Sequence, residues 1–286
     1  MIKMNYNTLI SAETLNLNLN QSNWVIIDCR FSLANSDAGS YAYRHGHLPN
    51  ARYAHLNDDL SSRITDTTGR HPLPDFNVLV KKLSAWGVNN QSQLVVYDDA
   101  GGAFAGRLWW LLRALGHDDV AVLNGGIKHW QQQGYAITTH LPTIKPAIFR
   151  AYSNPNLWLT ANQVENLLAK KTIKLIDART AERYRGEQEP IDPIAGHIPY
   201  ALNRPLPLNL NGQGLFLSPD QLRAQFKQLI RSTAPENVVH YCGSGVTACH
   251  NLLAMEYAGL AGSKLYAGSW SEWIRNKNRA VATLNG

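Results

Sequence analysis

Apolar residues along this chain fall into short continuous runs, separated by longer stretches in which they recur at helical spacing. The runs 25–27, 94–96 and 120–122 contain no polar residue, which is typical of strands in a parallel sheet covered on both faces. Residues 73–87 and 218–230 have the spacing of amphipathic helices. Alternation of such strands and helices predicts an α/β fold.

The same pattern of residues occurs twice along the chain. It is clearest in three pairs of stretches: WVIIDCRFS (24–32) with IKLIDARTA (173–181), RHGHLPNARY (44–53) with IAGHIPYALN (194–203), and LVVYDDAGGAFAGRLWW (94–110) with NVVHYCGSGVTACHNLL (237–253). Self-similarity over the length of a domain indicates a tandem duplication. We therefore expect two homologous domains, 1–145 and 157–286, joined by a linker at 146–156.

Composition and charge narrow the class of protein. Of the 286 residues, 44% are hydrophobic and 17% are charged, which is typical of a globular protein. The net charge of +6 comes from scattered lysines and arginines and not from a basic cluster. This distribution favours electrostatic attraction of small anions over nucleic-acid binding. With no apolar run of about 20 residues, no membrane association is expected.

The cysteine count and the N-terminus bear on the compartment. There are three cysteines, an odd and small number that favours free or catalytic thiols over a disulfide framework. The first residues lack the apolar segment and cleavage site of a secretory signal. These features predict a cytoplasmic protein.

One cysteine, Cys242, lies where a predicted strand (238–240) meets a predicted helix that starts at Thr247. Gly243 and Gly245 are expected to allow positive φ and close backbone approach. Such a loop turns successive N–H groups inward at a helix N-terminus and forms a nest for an anion. A thiolate there is stabilised as a nucleophile.

A buried core cysteine is the alternative interpretation of Cys242, because cysteine is among the most buried residue types. The ungapped alignment of the two copies places Asp99 in the position of Cys242, and a buried apolar position does not accept a lone carboxylate. The comparison therefore favours an anion nest in both copies, with a thiol only in the second. Cys29 and Cys249 are interpreted as small packed residues.

The duplicated Asp-x-Arg and Gly-His-x-Pro stretches, the cysteine loop and the closing YAGSWSEW (266–273) resemble the tandem-domain rhodanese family of sulfurtransferases. CGSGVTACH is similar to the loop of 3-mercaptopyruvate sulfurtransferases, whereas thiosulfate-specific members carry basic residues after the cysteine. The resemblance implies two domains, each a mainly parallel five-stranded sheet flanked by helices. It also implies a catalytically silent N-terminal domain with Asp99 in place of cysteine.

The resemblance further implies a persulfide mechanism that needs no metal and no cofactor. Cys242 would take a sulfane sulfur from 3-mercaptopyruvate or thiosulfate and pass it to a thiol or cyanide. The persulfide and the donor would be held by the loop residues that follow the cysteine: Gly243, Ser244, Gly245, Val246 and Thr247.

An anionic donor needs a cation, and the family resemblance assigns this role to Arg183 in the RYRG stretch. Arg179 recurs as Arg30 in the first copy, which favours a structural role beside Asp177. Mercaptopyruvate enzymes commonly carry a second arginine in an EPR stretch, where this chain has Ile191. The choice between the two donors therefore stays open.

The family also places polar residues of the first domain near the domain interface, and here they would be His47 and Asp37. An Asp-His-Ser arrangement would engage the loop serine, Ser244. Because His197 repeats His47 in the second copy, a structural hydrogen bond explains this histidine equally well.

Three other functions are alternatives for the same loop. Cysteine phosphatases use Cys-x5-Arg, but the sixth residue after Cys242 is Ala248, so phosphate chemistry is not expected. A scaffold is disfavoured by the intact second loop, while a persulfide carrier for a partner protein stays open. Two domains that bury one another would be compatible with a monomer.

Overall fold

The computed structural model describes residues 5–284, which cluster into two units. The first contains the chain up to Ser62, Leu73–Asn154 and Gln213–Leu215. The second contains Arg63–Pro72, Pro155–Gly212 and the chain from Phe216 onward. The short segment Arg63–Pro72 therefore belongs to the second unit, although it precedes most of the first along the chain. In the described part of the chain, no helix has the length and apolar character needed to cross a membrane.

The first unit is built on a five-stranded sheet in the order β1-β5-β4-β2-β3, with all pairs parallel. Its strands are β1 (Leu9–Ile10), β2 (Trp24–Asp28), β3 (Arg52–Tyr53), β4 (Gln93–Tyr97) and β5 (Val120–Leu123). Its helices are α1 (Ala12–Asn18), α2 (Ala38–His45), α3 (Phe76–Ala85), α4 (Ala105–Ala114) and α5 (Gly126–Gln132).

The second unit repeats this topology with a parallel sheet in the order β6-β10-β9-β7-β8. Its strands are β6 (Trp158–Leu159), β7 (Lys174–Asp177), β8 (Leu202–Asn203), β9 (Val238–Tyr241) and β10 (Lys264–Tyr266). Its helices are α6 (Ala161–Ala169), α7 (Ala181–Arg185), α8 (Pro219–Ile230), α9 (Ala248–Tyr257) and α10 (Ser269–Trp273). The predicted pair of α/β domains with five-stranded sheets is confirmed.

The middle residues of the central strands in the first unit are apolar and buried, as expected for a sheet flanked by helices. Val25, Ile26 and Ile27 are at most 3% exposed, and Val95 and Val96 are fully buried. Burial of this kind contributes roughly 1.5–3 kcal/mol for each large apolar side chain. The continuous runs therefore place the sheet at the centre of each unit and leave only its strand ends open.

Strand pairing fixes which residues of the two copies are equivalent. Asp28 pairs with Tyr97 in the first sheet, and Asp177 pairs with Tyr241 in the second. Each tyrosine hydroxyl accepts a backbone N–H, from Leu48 at 3.2 Å and from Ile198 at 3.1 Å. Tyr97 and Tyr241 are therefore equivalent, and the residues directly after them begin equivalent loops.

Candidate active site

Cys242 begins the loop that joins strand β9 to helix α9. It is 1% exposed, and its Sγ accepts a hydrogen bond from the Gly245 N–H at 3.2 Å. Its own N–H donates to Ser269 Oγ at 3.1 Å, and its carbonyl accepts the Trp270 N–H at 3.0 Å. These bonds fix the thiol at the carboxyl end of the sheet, where α/β folds bind their ligands.

Several backbone N–H groups of this loop have no acceptor within residues 5–284. They belong to four residues between Cys242 and helix α9: Gly243, Ser244, Val246 and Thr247. All of these residues except Thr247 are buried. Buried N–H groups without a protein acceptor are rare, and a run of them in a strand-to-helix loop is an arrangement that binds anions. The loop beside Sγ therefore has the open donors of an anion nest.

In the first unit, the equivalent loop is a nest whose N–H groups already bind an anion, the side chain of Asp98. The carboxylate of Asp98 accepts four backbone hydrogen bonds of 2.8–2.9 Å, from Ala100, Gly102, Phe104 and Ala105. Burial raises the pKa of this carboxyl above its ordinary value, and the four N–H donors oppose that shift. Each of the two carboxylate oxygens takes two N–H groups, so the loop is built around a negative charge.

The residue equivalent to Cys242 is Asp98, so the alignment that placed Asp99 there is wrong. Asp98 directly follows Tyr97, as Cys242 directly follows Tyr241. Asp99 comes one residue later and is half-buried. Helices α4 and α9 still begin at matching alanines, which means that the first loop is one residue longer. An ungapped comparison hides this insertion because the loop is rich in glycine and alanine.

The same shift changes which residue of the first copy is equivalent to His240. Strand register makes it Val96, whereas the ungapped alignment would make it Tyr97. His240 is fully buried in strand β9, with its Nε2 3.1 Å from Met255 Sδ. Burial lowers the pKa of His240 to about 3, with a further contribution from the Arg204 charge. His240 is therefore neutral at physiological pH and acts as a packed strand residue, as its position before the loop predicts.

The two loop glycines have different reasons to be glycine. Gly245 has φ +77, and a Cβ there would lie 2.1 Å from the Ala267 carbonyl oxygen. The expected positive φ at Gly243 is wrong, because its φ lies outside the left-handed region. Instead, a Cβ at Gly243 would lie 2.8 Å from Nη2 of Arg70 and 3.6 Å from both terminal nitrogens of Arg183. Gly243 therefore makes room for two guanidinium groups.

Arg183, on helix α7, is held beside the loop by two buried carboxylates. Its Nε and Nη2 donate to Glu189 Oε1 at 3.0 and 2.7 Å, and Nη2 also donates to Asp192 Oδ2 at 3.1 Å. The side chains of Glu189 and Asp192 are only 4% and 3% exposed. Two partners leave this guanidinium little rotational freedom, and it lies beside Gly243, where the resemblance implies a donor-binding cation.

Arg179 has the contacts of a structural residue. It forms a forked pair with Asp177, with contacts of 2.7–3.1 Å, and donates to the Gly196 carbonyl at 2.6 Å. Its equivalent Arg30 repeats both contacts with Asp28 and the corresponding glycine carbonyl. Burial alone would lower the pKa of Arg179, but the adjacent Asp177 carboxylate raises it above the ordinary value. Arg179 Nη1 also donates to Glu189 at 3.2 Å, which links this pair to the Arg183 cluster.

The structure adds two residues that the sequence did not indicate, Arg70 and His71. The Arg70 N–H donates to Ser271 Oγ at 3.0 Å, and its guanidinium forms an ion pair with Asp192. Burial lowers the pKa of Arg70 below its ordinary value, and the adjacent Cys242 opposes this shift. His71 Nδ1 lies 2.7 Å from Ser244 Oγ. An Arg-His pair between Gly69 and Pro72, outside the duplicated stretches, was the available signal.

The contact with Ser244 expected of His47 is made by His71. His47 uses Nδ1 on the Tyr43 carbonyl at 2.7 Å and Nε2 on the His140 carbonyl at 3.2 Å, all within the first unit. His197 repeats the first of these bonds with the Tyr184 carbonyl. Asp37 is exposed at the start of helix α2, and its side chain makes no capping bond. The structure therefore gives His47 a backbone-bracing role.

No metal centre is found among residues 5–284, where three or more His, Cys, Asp or Glu side chains are nowhere grouped to hold an ion. The polar groups around Cys242 include backbone N–H groups, the hydroxyls of Ser244 and Ser269, the His71 imidazole and the guanidinium groups of Arg70 and Arg183. Such a set can hold an anion against a thiol and stabilise negative charge on sulfur.

Comparison with known proteins gives matches along nearly the whole chain. A family model described as a rhodanese-like domain matches residues 11–133 and again residues 160–276. A Pseudomonas aeruginosa protein named a probable 3-mercaptopyruvate sulfurtransferase is 45% identical over 277 residues, covering 96% of this chain and 98% of its own. A putative thiosulfate sulfurtransferase of Mycobacterium tuberculosis is 37% identical over 264 residues, with coverages of 90% and 89%. The solved structure of SseA, a 3-mercaptopyruvate sulfotransferase of Escherichia coli, is 30% identical with a TM-score of 0.79 and covers 93% of this chain and 100% of its own.

Proposed function

The chain belongs to the rhodanese family, and we propose that it is a sulfurtransferase in which Cys242 carries a sulfane sulfur from an anionic donor to a thiol or cyanide. The observation that carries the proposal is the set of open N–H donors beside the Cys242 sulfur. In the first unit, N–H groups of the equivalent loop bind the Asp98 carboxylate. A loop that binds negative charge in one copy presents a nucleophile in the other.

In the first half-reaction, the Cys242 thiolate attacks the outer sulfur of the donor. A new S–S bond forms at Sγ, and the bond between that sulfur and the rest of the donor breaks. With thiosulfate, the electron pair leaves on sulfite; with 3-mercaptopyruvate, it leaves on the enolate of pyruvate, which then takes a proton. An acceptor thiolate or cyanide then attacks the outer sulfur and releases the Cys242 thiolate.

The outer sulfur of this persulfide would extend as far along the side chain as the carboxylate oxygens of Asp98 do in the first unit. An aspartate carboxylate extends one bond beyond the atom that corresponds to Sγ, and so does the outer sulfur of a persulfide. In the first unit, N–H groups meet that outer position at 2.8–2.9 Å. We place the anionic outer sulfur of Cys242 among the equivalent N–H groups, which include that of Thr247, the counterpart of Phe104.

The first unit does not take part in catalysis under this proposal. Its loop carries no thiol at the equivalent position, and the N–H groups that would hold a persulfide already hold Asp98. The nucleophile of the protein would therefore be Cys242 of the second unit. The predicted division into a silent domain and a catalytic domain rests on this difference.

As the donor we propose 3-mercaptopyruvate, because the loop after Cys242 is uncharged and the cations lie on other segments. The test compares kcat/KM for 3-mercaptopyruvate and thiosulfate on one preparation, with cyanide and a small thiol as acceptors. We expect a preference for 3-mercaptopyruvate of at least about tenfold, equivalent to one charge-assisted hydrogen bond. A preference for thiosulfate would contradict the donor assignment, and persulfide formation without turnover on either acceptor would indicate a carrier.

Replacing Arg183 by alanine should raise the KM for the donor. Removal of a charge-assisted contact weakens binding by about 1.5–3 kcal/mol, or about 10- to 100-fold. The protein should still fold, because without Arg183 the Glu189 carboxylate still pairs with Arg179 and the Asp192 carboxylate still pairs with Arg70. Steady-state kinetics measure the effect.

The matched control is Arg185→Ala on the same helix, where the arginine pairs with Glu182 and Glu187 in more exposed positions. This variant should keep the parent KM. If the two variants behave alike, Arg183 does not bind the donor.

We further assign this chemistry to the reducing cytoplasm. The three cysteines are free and buried thiols, as expected where disulfides do not persist. A persulfide intermediate also requires that Cys242 stay reduced between turnovers.

A further inference from the structure

Two arginines from separate segments of the second unit meet at one point of the active loop. Arg70 comes from Arg63–Pro72, and Arg183 comes from helix α7. A Cβ at Gly243 would lie 2.8 Å from Arg70 Nη2 and 3.6 Å from Arg183 Nη1. Since Gly243 directly follows Cys242, both guanidinium groups lie beside the loop that carries Sγ.

One buried carboxylate sets the orientation of both groups. Asp192 accepts from Arg70 Nη1 through Oδ1 and from Arg183 Nη2 through Oδ2. Its side chain is 3% exposed, so it is fixed between them. Neither guanidinium can turn away from the loop without losing this shared partner.

Each arginine keeps hydrogen-bonding capacity on the side of the loop. Within residues 5–284, no acceptor bonds Arg70 Nη2 or Arg183 Nη1. These are the nitrogens that lie nearest the Gly243 position, together with Arg183 Nη2. The two groups are not sealed off from ligand, because their side chains are 23% and 14% exposed.

We infer that Arg70 is a specificity-determining residue that, with Arg183, binds the carboxylate of the sulfur donor. The inference rests on the proposed function. A carboxylate has two coplanar oxygens, and each can accept a hydrogen bond from one of the two guanidinium groups. Sulfonate oxygens of thiosulfate are attached to the atom that bears the transferred sulfur, whereas the mercaptopyruvate carboxylate is two carbons away from its sulfur. A donor that reaches past Gly243 to both arginines is therefore the longer one.

This assignment also accounts for the apolar residue at position 191. Ile191 is 44% exposed and contributes only its backbone N–H to Glu189, at 3.2 Å. The second cation that the EPI stretch lacks is supplied by Arg70, from a segment far away in sequence. The substitution at 191 therefore does not remove the carboxylate site.

The deciding experiment uses alkylation of Cys242 and does not depend on turnover. 3-Bromopyruvate has the carbon skeleton of the proposed donor with its carboxylate beyond the keto carbon, and bromoacetone is a neutral α-bromoketone that lacks only the carboxylate. Rates at Cys242 are measured for both reagents by peptide mass spectrometry in the parent, Arg70→Gln, Arg70→Lys and Arg185→Gln. Arg185→Gln removes the same charge from an exposed position outside the cluster.

With Arg70→Gln, we expect the bromopyruvate rate to fall about tenfold while the bromoacetone rate stays within about twofold, as for loss of one charge-assisted contact. Arg70→Lys should lose part of the bromopyruvate rate, because lysine keeps the charge but not the planar fork. Arg185→Gln should match the parent. The ratio of kcat/KM for 3-mercaptopyruvate to that for thiosulfate should fall in parallel in Arg70→Gln.

Equal changes for both reagents in Arg70→Gln would overturn the inference, because Arg70 would then act on the loop and not on a carboxylate. An unchanged bromopyruvate rate would overturn it as well. Failure of the proposed function looks different: the parent would form no persulfide with either donor, whatever the alkylation rates show.

Discussion

Replacing Cys242 by serine is expected to reduce sulfur transfer by about 1,000-fold or more, the scale seen when a catalytic nucleophile is removed. A serine hydroxyl is not ionised at neutral pH and forms no stable bond to sulfane sulfur, so no covalent intermediate can accumulate. The N–H groups of the loop should be unaffected, because serine has nearly the same shape as cysteine. Donor binding should therefore persist while turnover is lost.

Two measurements check this result. Intact-mass analysis after incubation with donor should show the parent heavier by one sulfur atom and the serine variant unchanged. Steady-state assays with cyanide should show the loss in kcat, not in KM.

Cys29→Ala is the matched control, because the equivalent residue in the second copy is Ala178. Burial raises the pKa of the Cys29 thiol well above its ordinary value, so this thiol stays protonated. The control should transfer sulfur like the parent. Turnover that survives in Cys242→Ser, or a persulfide mapped to Cys249, would remove Cys242 from its assigned role.

Replacing Gly245 by alanine should have the second-largest effect. The residue has φ +77, and the added Cβ would lie 2.1 Å from the Ala267 carbonyl oxygen, a collision that forces the backbone to move. The move would displace the N–H that donates to Cys242 Sγ. We expect a loss of about 2–4 kcal/mol in the free energy of unfolding and of about 10- to 100-fold in kcat/KM, as for a displacement near 1 Å.

Gly134→Ala separates the collision from backbone strain. Gly134 has φ +75, but a Cβ there would meet nothing within 4 Å, so its cost is the strain alone, about 1–2 kcal/mol. Denaturant titration and steady-state kinetics should show a smaller destabilisation and unchanged activity. Should Gly245→Ala be no worse than Gly134→Ala in either measurement, the loop does not depend on that close approach.

Local pattern sufficed to predict much of the fold and the nucleophile. The apolar runs around Ile26 and Val95 predict buried parallel strands, and the position of Cys242 between a strand and a helix predicts a loop with inward N–H groups. These features depend on residues that are neighbours in sequence. The duplication also supports the predicted fold class, because both copies must share one order of strands and helices and therefore one topology.

The rest of the site depends on contacts between distant residues. Arg70 and Ser271 are 201 positions apart, and His71 and Ser244 are 173 positions apart. No periodicity or spacing connects such pairs, so the repeated motif indicated His47, and His71 was not indicated. The error at Asp99 has a different origin: a one-residue insertion leaves no trace in composition, and only strand register reveals it.

The longer loop after Tyr97 also bears on any attempt to engineer a second active site into this chain. The first copy carries Asp98 where the second carries cysteine, and its loop backbone is closed on that carboxylate. A codon change at position 98 would introduce a thiol but would leave the loop one residue longer than its counterpart, and only an in-frame deletion would correct the length. Two different kinds of mutation would therefore be needed to give the first copy the loop of the second.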